Sequence, residues 1–141
     1  MLSVTTENEF GSISPEQLKA VELFLPAKLP DDYRNFLIKS NGGVPVNFVS
    51  STGGSGETSI SYFYGIHSGP TWASFSYYFK NSKSYCSEGQ VPIASDDGGN
   101  FFILSLTKNR GCISFCDHET NEISKVAESF TEFATSLRPG A

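Results

Sequence analysis

The chain has 141 residues, of which 38% are hydrophobic, 13% aromatic and 18% charged, with a formal net charge of −5. That length and composition suit one globular domain with its own core and exclude a disordered chain. The Lys and Arg residues are scattered singly, which excludes the basic stripe of a nucleic-acid binder, and no run approaches the roughly 20 apolar residues of a membrane span.

The first ten residues, MLSVTTENEF, carry neither the basic flank nor the apolar run of a signal peptide. Cys86, Cys112 and Cys116 are an odd set without a disulfide framework, as in a reducing compartment. The expectation is a cytoplasmic protein.

SISPEQLKAVELFL predicts a helix: Ser14 as N-cap, Pro15 at the first helical position and Gln17 completing a capping box. Leu18, Val21 and Leu25 share its apolar face with Phe24 beside them, and Pro26 ends it. LPDDYRNFLIKSNGG predicts a second helix, started by Pro30, with Asp31 and Asp32 in the first turn and Tyr33, Phe36 and Leu37 as the buried stripe. Asn41, Gly42 and Gly43 read as its left-handed stop rather than as ligand contacts.

VPVNFVS and TSISYFYGI predict strands around the loop SSTGGSGE, with Ile60, Tyr62 and Tyr64 alternating against Ser59, Ser61 and Phe63. PTWASFSYYFK predicts a short helix, and residues 81–90 an exposed loop. VPIA, FFILSL and GCISFCD then predict three strands of an antiparallel meander. The last helix, in AESFTEFATSL, has Ser129 as cap, Glu132 closing the box and Phe130, Phe133, Ala134 and Leu137 as its face; Pro139 and Gly140 release the chain. Helices at both ends and strands between them give a single α+β domain over residues 1–141.

SDDGGN, residues 95–100, has the residue types of a metal loop or of a tight turn. A calcium loop counted from Asp96 needs Gly sixth and Glu twelfth, where this chain has Phe101 and Thr107. Gly98, Gly99 and Asn100 between two apolar runs therefore read as a hairpin turn. Cys112, Cys116 and His118 suggest zinc, but in an extended strand the two sulfurs stand roughly 13 Å apart, too far for one ion. GGSGE lacks the last Gly of a nucleophile elbow, and His67 reads as a loop histidine. No catalytic residue, metal site or cofactor is expected.

Two sets of side chains remain as binding surface. Asp96 and Asp97 stand at one corner, and Asp117 and Glu119 follow the last predicted strand with Glu122; nothing in the sequence requires the two groups to adjoin. The aromatic set is Tyr62, Tyr64 and Trp72, with Tyr77 and Tyr78. Carboxylates complement Lys and Arg, and Tyr and Trp are enriched at interface hot spots.

LPDDYRNFLIKSNGG, FYGI, VPIASDDGGNFFILSL, GCISFCDHE and VAESFTEFATSL, in that order over about residues 14–138, resemble the SUKH superfamily of bacterial immunity proteins and yeast cell-wall-synthesis regulators. The resemblance implies a mixed, largely antiparallel sheet with helices packed on it, and it makes Asn41, Gly42, Gly43, Gly98, Gly99 and Asn100 scaffold positions. One departure is Cys116, where an aromatic is common. The function implied is a non-catalytic immunity protein that binds a cognate toxin domain, a basic protein such as a nuclease, its carboxylates standing in for phosphates and its aromatic rings anchoring the contact. Two alternatives stand beside it: an intracellular adaptor for an endogenous protein, and a small hydrolase using His118.

Overall fold

Capping chemistry places the helices. In the computed structural model, which describes residues 2–140, α1 spans Pro15–Glu22. Ser14 Oγ accepts the Gln17 N–H at 3.2 Å, and Gln17 Oε1 accepts the Ser14 N–H at 2.9 Å, the reciprocal box expected from the sequence. The helix stops at Glu22, short of Leu25. Leu23 and Phe24 are 84% and 82% exposed, so Phe24 does not join the buried face. The stop is held by the Glu22 carboxylate, which accepts the Leu29 N–H at 2.7 Å and pairs with the Arg34 guanidinium at 3.0 Å. Arg34 lies in α2 (Asp31–Ser40), which buries Tyr33, Phe36 and Leu37 as expected. Asn41 ends α2 in the left-handed conformation, φ 47° and ψ 54°. At Gly42, φ +84°, a Cβ would lie 2.5 Å from the Phe63 carbonyl oxygen, so a glycine is needed for the close approach as well as for the turn.

Six strands follow: β1 (Val49–Ser51), β2 (Glu57–Phe63), β3 (Gln90–Asp96), β4 (Phe101–Ser105), β5 (Ile113–Cys116) and β6 (Ile123–Ala127). They pair in sequence order and every pair is antiparallel. The strands thus form one meander, where the resemblance allowed a mixed sheet; outside them a parallel bridge joins Gly65 and Ser74. The strand expected over 44–50 divides. Gly43, just before it, bridges Phe63 at the far end of β2, Pro45, which has no N–H to offer a ladder, bridges Val4, and a continuous ladder with β2 forms only over 49–51. The sequence reading does not anticipate β6, whose half-polar ISKVA carries a weak apolar signal. In β2 a register shift between Ile60 and Tyr62 breaks the expected alternation and leaves Tyr62, Phe63 and Tyr64 all buried.

The two sheet faces are covered differently. Phe63, Phe102 and Phe115 pack with Phe36 of α2 and with Phe130 and Phe133 of α4 (Phe130–Ser136), rings 5.1–6.1 Å apart. Successive strand residues point opposite ways. Phe101 accordingly reaches the other side and stacks on Tyr85 at 4.0 Å. There Tyr64 also stacks on Tyr78 of α3 (Phe75–Lys80) at 4.1 Å. Trp72 sits just before α3 in a 3-10 turn, Thr71–Ala73. The stretch 81–90 is therefore partly docked, through Ser82, Tyr85 and Cys86, rather than a plain exposed loop.

The chain end is not released at Pro139. Arg138 pairs with the outer edge of β1 through Val49, in both directions at 2.9 and 3.0 Å, and Gly140 lies against the Phe48 ring. At the opposite sheet edge Gly53, in the β1–β2 loop, touches Ser124 and Lys125 of β6, so the meander curls until its two edges approach.

Candidate functional site

In a meander, alternate hairpin turns share one end of the sheet. The β3–β4 and β5–β6 turns therefore lie together, and the structure joins the two acidic groups that the sequence left separate. Asn100 is the joint. Its Oδ1 accepts the His118 backbone N–H at 3.0 Å and the ring Nδ1–H at 2.7 Å, while its Nδ2 donates to Asp96 Oδ2 at 3.0 Å.

Asp96 itself is withdrawn from any partner. It is 5% exposed, and its carboxylate accepts hydrogen bonds from Thr58 Oγ1 (2.6 Å), Gly98 N (3.0 Å), Asn100 N (2.7 Å) and Asn100 Nδ2. Burial acts to raise its pKa, but the bonds from Thr58, the Asn100 side chain and the Asn100 and Gly98 N–H groups hold it below the ordinary carboxylate value. Gly99 follows at φ +82°, as a tight turn requires. SDDGGN is a corner organised by its first carboxylate.

What projects from that corner is Asp97, Glu119 and Glu122, all exposed, with Asp117 half-buried and one of its oxygens accepting the Glu119 N–H at 2.9 Å. Ion pairs among the described residues join Arg34 to Glu22, Lys125 to Glu128 and Arg138 to Glu57. The four carboxylates at the corner are unneutralised and concentrate negative potential there. His118, exposed beside them, holds the Asn100 joint, and its ring contacts place no hydroxyl or thiol nucleophile on it.

The aromatic set divides. Tyr64 is fully buried, with its hydroxyl bonded to Ser95 Oγ, so it belongs to the core and not to a surface. Tyr62 is also buried, its ring 5.2 Å from Trp72 edge to face and its hydroxyl donating to Glu9 Oε1 at 3.3 Å. Trp72 is 53% exposed and is propped by Tyr62 and by Phe10 at 5.8 Å. His67 clips the loop in front of it: Nδ1 accepts the Gly69 N–H at 2.9 Å and Nε2–H donates to the Ala73 carbonyl at 3.1 Å. Burial lowers the His67 pKa, which keeps the ring neutral in that clip. Tyr62 lies three residues along β2 from Ser59, whose carbonyl accepts the Asp97 N–H at 3.0 Å. Tyr62, against which Trp72 packs, thus stands on the order of 10 Å along β2 from the residue that anchors Asp97.

The thiols are not activated. Burial pushes Cys86 up to about 12, and burial raises Cys112 and Cys116 as well, reinforced by Glu128 and Asp117 respectively. Cys116 is fully buried on its strand, and Cys112 Sγ–H points to Glu128 Oε2 at 3.6 Å. Among the described residues no three His, Cys, Asp or Glu side chains gather as a metal would need, and no helix is long and apolar enough to cross a membrane.

One surface escaped the sequence reading. The exposed Phe24 lines an apolar groove of about 400 Å³ between α1 and α3, together with Val21, Leu25, Phe75 and Phe79. The available signal was Pro26, which bars a helix from continuing and so loosens the hold of helical periodicity on the residues just before it.

A sequence profile of the SMI1 / KNR4 family (SUKH-1) matches residues 12–136. The chain is also 30% identical, over 148 aligned positions, to an SPbeta prophage-derived uncharacterized protein, YokK, of Bacillus subtilis (strain 168); the match covers 86% of this chain and 73% of that protein. With the profile spanning nearly the whole α+β domain, the chain belongs to the SMI1 / KNR4 (SUKH-1) family.

Proposed function

We propose that this protein is a non-catalytic immunity protein that neutralises a cognate toxin domain by occupying its basic functional surface. The observation that carries this reading is the junction of the β3–β4 and β5–β6 turns, which presents Asp97, Asp117, Glu119 and Glu122 together and without cationic partners. A nuclease domain binds phosphates through Lys and Arg; four carboxylates on a rigid corner offer the same charge without a scissile bond. Trp72 supplies a wide, half-exposed ring that needs little ordering on contact. Membership of the SMI1 / KNR4 (SUKH-1) family supports this reading.

The test is calorimetry against the C-terminal domain encoded by the neighbouring upstream gene, at two salt concentrations. Asp97→Lys with Glu119→Lys is expected to weaken binding at least about tenfold, mostly through slower association, and wild-type affinity should fall as salt rises. Loss of binding in Phe24→Asp with the charge variant unaffected would move the contact to the groove between α1 and α3. Absence of binding to that domain would end the immunity reading in favour of an adaptor.

A further inference from the structure

We propose that the sheet face turned away from α2 and α4 carries a site for a small organic oxyanion, a phosphate monoester or a carboxylate, at the end of the sheet far from the acidic corner. Ser105 lies on the same side of β4 as Phe101, opposite Phe102. The register then lines up a polar row across four strands: Gln90 of β3 faces Ser105 of β4, and Ser114 of β5 faces Lys125 of β6. Ser114 also faces Ile103, two residues from Ser105, which places the two serines diagonally on one face. They line a polar pocket of about 360 Å³ with Gln90, Asn109, Arg110, Cys112, Lys125 and Glu128.

The serines make the case. Ser105 is 5% and Ser114 8% exposed, yet neither hydroxyl has a hydrogen bond among the described residues, and both open onto the pocket. Among the described residues the buried side-chain polar atoms without a partner are Asn8 Oδ1 and Tyr33 OH, so both serine hydroxyls reach the pocket rather than closed core and are available to a molecule held there. The groups around them are mainly donors. Arg110 Nη1 is held by the Lys28 and Leu106 carbonyls at 2.6 and 2.9 Å, which fixes the guanidinium and leaves Nε and Nη2 free. Gln90 Oε1 accepts the Ser87 N–H at 2.9 Å, leaving its amide N–H groups to the pocket. Glu128 is the one carboxylate, and it is engaged by Lys125 and by the Cys112 thiol. Two cations, two hydroxyls and two side-chain amides around one paired carboxylate suit an anion with oxygen acceptors. The volume suits a molecule the size of a sugar phosphate or a small polycarboxylate. The site stands apart from the acidic corner and does not depend on toxin binding.

The test is a titration of the ¹⁵N-labelled protein with glucose 6-phosphate, citrate, inorganic phosphate and glucose, followed by amide shifts. The expected result is a saturable shift confined to residues around Ser105, Cys112, Ser114 and Lys125 with glucose 6-phosphate or citrate, and none with glucose. Which of those two binds separates a phosphate from a carboxylate ligand. Ser105→Ala with Ser114→Ala should weaken that binding at least about fivefold, and Lys125→Gln should weaken it too, each with the fold intact. Shifts with inorganic phosphate as strong as with the larger anions would mark an adventitious ion only and overturn the proposal. So would a response to glucose, no response up to about 10 mM anion, or binding indifferent to the serine and lysine changes.

Discussion

At the scale of single residues, two polar side chains do most to order this molecule, and both are buried. Asn41 lies at the left-handed end of α2. Its Nδ2 donates to the carbonyls of Gly11 and Ile66, both at 2.9 Å, and its Oδ1 accepts the Ile66 N–H at 2.8 Å, tying three segments distant in sequence. Asp96 does the same for the β3–β4 turn. Its four accepted bonds make its ionised form part of the fold, and that has a direction in pH. The folded pKa is depressed, so the stabilisation is fully present above the ordinary carboxylate value and is lost as pH falls through the folded one. Asp96→Asn, which keeps the shape and removes the charge, is expected to cost about 2 kcal/mol at neutral pH. It should also flatten the loss of stability below about pH 4, read from urea unfolding midpoints across the acid range. An unchanged acid limb would show that other carboxylates set it.

Helix–helix packing is the next scale. α2 and α4 meet through Tyr33, Phe36, Phe130 and Phe133, with Tyr33 edge-on to Phe130 at 5.2 Å. Tyr33 is fully buried and its hydroxyl has no hydrogen-bond partner, and burial raises its pKa far above the usual phenol value. The ring is what the packing uses. Tyr33→Phe is therefore expected to be neutral or to stabilise by up to about 1 kcal/mol in chemical denaturation, since it removes an unpaired buried hydroxyl and keeps every ring contact. Elements bounded by capping chemistry are readable directly: Ser14 with Gln17, and Ser129 with the Glu132 N–H at 3.0 Å, mark the helix starts that they occupy, although the Glu132 carboxylate accepts the Glu128 N–H at 3.3 Å and does not close the box expected on Ser129. Elements bounded by distant pairing are not. The 44–50 stretch has the apolar content of one strand, yet Pro45 partners Val4 while Val49 and Ser50 partner β2, and no local pattern encodes that division.

For the whole molecule, closure of the meander decides what the surface is. At Gly53, φ +95°, a Cβ would lie 2.5 Å from Ser124 Cβ and 2.9 Å from the Lys125 carbonyl, so the first loop reaches β6 only as glycine. Gly53→Ala is expected to cost about 1–3 kcal/mol and to raise hydrogen exchange selectively in β6, with the other strands protected. Uniform loss of protection would mean that the edge contact is inseparable from global folding. The meander order separates charges: its alternate acidic turns gather at one end, and Arg110 and Lys125 line a polar pocket at the other. A net charge of −5 says nothing of that division.

The order of caps, turns and apolar runs was enough to read the α+β class, the helices at both ends, the turn nature of SDDGGN and the family. Each is encoded within a few residues, where backbone geometry and hydrogen bonding are local. Which polar and aromatic groups face outward was not encoded there. Asp96 and Asp97 are adjacent and alike in sequence, and the fold buries one under four donors while exposing the other. Tyr64 and Trp72 are both aromatic, and a register shift in β2 together with a stack on Tyr78 puts one in the core and leaves the other in solvent. Burial is a property of what packs from far along the chain, so the exposed surface was settled only when the six strands curled together.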